Sequence, residues 1–180
     1  TSFEILRQIS ERLPVQTIPD WMDSDVQPIA IVDTLEALVG ALTADVGTRS
    51  FDIGGPVALP YAELLELYAE IAGLVRPQVS VPLLPTALVG TLAGALTDVP
   101  NHVVEALVES LHHDMVVGES DFVEALLPPG HALLGLEESI RRSLAAQASE
   151  DPWAADPMGP LPNDPSWASG GEGRPLLARA

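Results

Sequence analysis

This 180-residue chain has no cysteine, so metal ligation and proton transfer near neutral pH would fall to its four histidines and 26 carboxylates. The densest group is His102, Glu109, His112, His113 and Asp114. On a helix, His102 and Glu109 are seven residues apart and His113 is four further on, so one face would carry all three. No H-E-x-x-H pattern accompanies them, and a solvated helix end is expected rather than a metal centre. Ser-His-Asp catalysis lacks the strained elbow that would present a nucleophile. Asp33 stands where a helix is expected to start and reads as a cap rather than an acid or base. Tyr61 and Tyr68 are seven apart on an expected helix and should both pack. No residue emerges as catalytic. Two candidates for binding remain. Trp21 lies in the polar stretch Asp20 to Asp25, where an indole either lines a pocket or covers the edge of the core. Gln27, just before Pro28, could offer its amide to a substrate.

Eight basic residues, all Arg, stand against the 26 acids and leave a net charge of −18. Such a surface repels phosphate backbones and anionic headgroups, which excludes nucleic acid as a partner. At 47 % hydrophobic and 19 % charged, the chain is far too apolar to be a disordered acidic tail. Residues 77–97 carry no charge and reach spanning length, but Pro77, Pro82 and Pro85 break the first half. The rest makes only about three helical turns. A buried or interfacial helix is expected there, and a membrane partner is not. Gly90 and Gly94 form a G-x-x-x-G, which signals dimerisation only within a true apolar span. No basic, apolar leader opens the chain, so a cytoplasmic location is expected.

The elements that must position these residues follow from periodicity and breakers. A first helix is predicted from Ser2 to Leu13, with Thr1 and Glu4 at capping-box spacing and Pro14 as its stop. Val15 to Ile18 reads as extended, 27–32 as a buried strand or extended segment, and 49–53 as a second short strand. A second helix is expected from Thr34 to Ala44, capped by Asp33, with Leu35, Leu38, Val39 and Leu42 facing inward. A third runs from Pro60 to Ala72 and ends at Gly73. Val79 to Leu84 reads as a strand whose Pro82 favours a sheet edge. Helices are expected over 86–96, 101–111 and 136–148. From about residue 149 the composition turns to Pro, Gly and Trp, as in a tail or the start of a second domain. Alternation of strand and helix from 27 to 84 indicates an α/β layer. Three short strands are few for a free-standing parallel sheet, and a helix beginning at the first residue is unusual. The chain is therefore expected to be a fragment.

Three blocks, SFEILRQISERLPVQTIPDW, QPIAIVDTLEALVGAL and RSFDIGGPVALPYAELLELYAEIAGL, resemble in order and spacing the C-terminal half of an atypical short-chain dehydrogenase/reductase of the bacterial NmrA-like or epimerase-like branch. The resemblance covers about residues 1–146. It implies an α/β fold, the C-terminal portion of an incomplete Rossmann-type domain over 1–148, with a mostly helical substrate side. It implies NAD or NADP as cofactor and a small-molecule substrate. It also implies that the loop before the first helix lies near nicotinamide and substrate, which makes Phe3 and Arg7 substrate-binding candidates beside Trp21 and Gln27; a plain Glu4–Arg7 helix pair is the alternative. The family's Gly-rich phosphate loop and Tyr-x-x-x-Lys pair lie upstream of these blocks. Gly54-Gly55-Pro56 lacks the G-x-G-x-x-G spacing, and the chain has no lysine. NDPSWASGG resembles the start of a further domain, and that match breaks after Gly171. Three functions follow: the substrate side of an NAD(P)-dependent oxidoreductase or epimerase, a non-catalytic dinucleotide sensor or scaffold, or a membrane-associated helical module on 86–111.

Overall fold

Helix α1 (Ser2–Arg12) forms because Ile5, Leu6 and Ile9 line one face, with Glu4 in the first turn and Arg12 in the last. Pro14 then prevents its continuation. Arg76 holds the far end, with Nε donating to the Ser10 carbonyl at 2.6 Å and Nη2 to that of Glu11 at 3.3 Å. The computed structural model describes residues 2–82, 89–91, 94, 97, 101–145, 156–159 and 161, with the side chains of 2, 20, 21, 101, 102 and 105 excepted.

After α1 come strand β1 (Gln16–Pro19), a 3₁₀ turn (Asp20–Asp23) and strand β2 (Asp25–Val26). Helix α2 (Ile31–Ala41), strand β3 (Leu59–Pro60), helix α3 (Tyr61–Ile71) and strand β4 (Gln78–Val81) follow. The later helices are α4 (Asn101–Ser110), α5 (Phe122–Leu126) and α6 (Leu136–Ser143). β1 and β4 pair in parallel, Gln16 opposite Gln78 and Pro19 opposite Val81. β2 and β3 pair antiparallel, and Val26 also bridges to Met115. The described residues are thus mixed α/β with two two-stranded sheets. A parallel pair needs a covered face to persist, and Gln16 ties this one down. Its Nε2 donates to Ser10 Oγ and the Leu65 carbonyl, and its Oε1 accepts from Gln78 Nε2.

The main core gathers Leu6, Ile18, Met22, Val26 and Ile140 around Tyr61, Leu64, Leu65 and Tyr68 of α3. A second cluster joins Ile5 of α1 to Val104 and Val108 of α4. A third joins Ala37 of α2 to Phe122, Leu126 and Leu127.

Four expectations are corrected. Of the two readings of 27–32, the strand fails over 27–30, because Pro28 has no N–H, while Ala30 is extended at φ −65° and ψ 141°; α2 then begins at Ile31, three residues early. Residues 49–53 form no strand either; Phe51 packs on the third cluster beneath the Arg49 guanidinium, 4.2 Å from the ring centre. Asp33 is not the cap of α2: Ala30 holds that position, and the Asp33 carboxylate turns to residues 131–134. Finally, Leu35, Leu38, Val39 and Leu42 face outward, while Asp33 and Ala37 are buried. The reason is close approach at Gly40. A Cβ there would lie 1.7 Å from the Leu126 carbonyl oxygen, so α2 meets α5 through its smallest residues.

α1, α3 and α4 match their predicted spans to within two residues, and Gly73 ends the last turn of α3 at φ +68°. Most of the expected helix over 86–96 lies outside the described residues, as do 146–148 of the last helix and most of the expected tail. Residues 156–159 are described and fold back on α6, where Asp156 accepts two hydrogen bonds from Arg142 at 2.9 and 2.7 Å. Among the described residues, no helix is long and apolar enough to cross a membrane.

Candidate functional site

A cavity of about 330 Å³ opens between the start of α1, the first turn of α2 and α6. Phe3, Ile29, Ile31, Leu136 and Ile140 make its lining chiefly apolar, and Thr34, Ser139 and Ser143 add hydroxyls. Each hydroxyl donates to a carbonyl three or four residues earlier in the chain, to Ala30, Gly135 and Ile140 respectively. Each oxygen keeps lone pairs for a ligand's donor. The arrangement suits a small, largely apolar molecule fixed by few polar contacts.

Three clamps hold the walls. Asp33, 2 % exposed, accepts the Leu134 N–H at 2.8 Å through Oδ2, and its Oδ1 lies 2.8 Å from His131 Nε2. The segment that leads into α6 is thereby fastened to the first turn of α2, where a carboxylate also suits the helix dipole. Arg142 and Asp156 form the second clamp and seat Met158, whose N–H donates to Asp156 Oδ1 at 2.9 Å. The Arg142 hydrogen bonds hold the Asp156 carboxyl below its ordinary range. The third clamp is Gln27. Its Nε2 donates to the Gly55 carbonyl at 2.7 Å and its Oε1 accepts the Val117 N–H at 3.1 Å, fixing the backbone just before the Pro28–Ile31 wall.

Phe3 lines the cavity, steadied by an edge-on contact with Tyr68 at 5.8 Å between ring centres. Gln27 is not among the lining residues; it directly precedes Pro28 in the wall, and its amide is engaged on both sides. Arg7 lies elsewhere, paired with Glu4 and, at 2.8 Å, with Glu11. The hydrogen bond to Glu4 is the chief reason its guanidinium is even less acidic than usual. Glu11 also accepts the Tyr68 hydroxyl at 3.0 Å, so Arg7 belongs to a polar network between α1 and α3. Trp21 is in the 3₁₀ turn, and its side chain lies outside the described residues.

His112 and His113 stand exposed after α4, and Asp114 accepts the Asp25 N–H at 2.9 Å. The His102 side chain lies outside the described residues. Among the described residues, no three His, Asp or Glu side chains could together hold a metal ion. Gly54 and Gly55 do not fit a phosphate-binding role. Both are buried, and a Cβ on Gly55 would lie 1.9 Å from the Pro28 carbonyl oxygen, so the pair serves contact with the chain itself.

Sequence reasoning missed His131, Ser139, Ser143 and Met158. A His follows the Pro128-Pro129-Gly130 turn, but nothing in the spacing links it to Asp33, 98 residues away. No protein-family model matches the chain, and no curated protein matches it.

Proposed function

We propose that this chain is the substrate side of an NAD(P)-dependent oxidoreductase- or epimerase-like protein of Rossmann type. The cavity between α1, α2 and α6 takes the small-molecule substrate. The observation that carries this reading is that cavity: it lies beside the first residues of α1, where the resemblance leads one to look, and Phe3 is in its wall. The parallel pairing of β1 and β4 across two intervening helices supports it as well. Dinucleotide binding falls to residues outside this chain, since Gly54 and Gly55 are committed to packing.

The test is expression of the whole open reading frame that encodes this segment. Calorimetry should give micromolar binding of NADH or NADPH to that product and none to residues 1–180 alone. Thr34→Trp, which places an indole in the cavity, should leave cofactor binding intact and abolish binding of any substrate found for the product. A full product that binds neither dinucleotide overturns the reading.

The second version is a dinucleotide sensor without catalysis. Its mark would be the absence of a Tyr-x-x-x-Lys pair upstream of these blocks, where the resemblance places that pair. Cofactor binding without turnover would identify that case.

A further inference from the structure

A second cavity, of about 340 Å³, lies between the main core and the α1–α4 cluster. Leu6, Met22 and Leu65 of the main core form one side, and Ile5, Ile9 and Val108 the other. Its polar lining is confined to Gln16, Thr17 and Tyr61. The Gln16 amide is spent on Ser10, Leu65 and Gln78. Tyr61 is only 9 % exposed, and no hydrogen bond reaches its hydroxyl among the described residues.

Water is a poor filling here. Each buried water needs two to four polar partners, and these walls provide few. An empty space would forfeit dispersion contacts on every side. We propose that this cavity binds an aliphatic chain carrying one uncharged hydrogen-bond acceptor, such as a ketone or ester carbonyl, with the Tyr61 hydroxyl as donor. A cavity of about 150 Å³ holds a benzene, so this one takes roughly ten to twelve carbons. Burial keeps the Tyr61 phenol protonated, with a pKa pushed up to about 12, and thus a donor at neutral pH. An anionic head would meet a chain of net charge −18 and no cation in the cavity wall, which is why the head is neutral. This site is separate from the substrate cavity and does not depend on the oxidoreductase reading.

The probe is 2-decanone, with decanoate as comparison, titrated into the chain by methyl NMR and calorimetry. One saturable site is expected, with shifts at Ile5, Ile9, Leu65 and Val108 and weaker binding of decanoate. Tyr61→Phe, which keeps the ring and removes the hydroxyl, should bind the ketone roughly three- to tenfold more weakly, as befits one hydrogen bond. Absence of saturable ketone binding overturns the proposal, as do shifts confined to Leu35, Leu38 and Leu42 of α2. Equal ketone affinity in Tyr61→Phe overturns the role of Tyr61, and decanoate binding as tightly as ketone overturns the neutral head.

Discussion

Helices α2 and α3 are both eleven residues long, and α2 carries the larger share of aliphatic side chains, yet they use those side chains in opposite ways. α3 buries Tyr61, Leu64, Leu65, Tyr68 and Ala69, the i, i+3, i+4, i+7, i+8 stripe expected of a core helix. α2 buries Asp33 and Ala37, presses Gly40 on Leu126, and leaves Leu38 59 %, Val39 60 % and Leu42 85 % exposed. An apolar stripe marks a face that can be buried. Which face is buried depends on how near the neighbouring backbone comes. On α3 the partners stand off far enough for tyrosines; on α2 the partner backbone is close, and only small residues fit.

The largest effect should come from emptying the face of α3. Tyr68, with 0 % exposure, meets Phe3 edge-on and donates to Glu11, so Tyr68→Ala should cost about 3–5 kcal/mol in denaturant melts. A loss below about 1 kcal/mol would mean that α3 is not the centre of the core.

Alkaline titration should come next, and it too acts on α3. Burial raises the Tyr61 pKa from 10.0 to about 12, and burial, with Glu11 beside it, raises that of Tyr68 as well. Because the folded-state values lie above the unfolded ones, this stabilisation is complete below about pH 10 and is lost as pH rises towards 12. The Tyr61 share is about 2–3 kcal/mol. Melts from pH 8 to 12 should show the fall, and Tyr61→Phe should shrink it. An unchanged slope in that variant would deny the burial of the phenol.

Gly40→Ala should cost about 1–3 kcal/mol, although alanine is the better helix former, because its methyl would strike the Leu126 carbonyl. Stabilisation by this change would show that α2 and α5 do not touch as described.

The smallest effect on stability belongs to the outer face of α2. Leu38→Gln and Leu42→Gln should each shift stability by less than about 0.5 kcal/mol. Together they should clearly lower the binding of a hydrophobic dye, since a contiguous exposed stripe is where such dyes and other molecules adhere. A large loss of stability with unchanged dye fluorescence would place that face in the core after all.

Local chemistry decided much that could be read without a structure. The breaker at Pro14, the left-handed stop at Gly73 and the period of α3 are properties of residues within a few positions of one another. They set the limits of α1 and α3 wherever those helices end up. The acidic balance and the absence of cysteine and lysine likewise belong to the chain itself and narrow its chemistry. Only the tertiary structure decided that Asp33 reaches residues 131–134 instead of capping its helix, that Gln27 fastens Gly55 to Val117, and that the leucines of α2 face outward. Each of these depends on a backbone group brought near from tens of residues away. Helical periodicity specifies which side chains share a face, but it carries no information about the distance to whatever packs against that face.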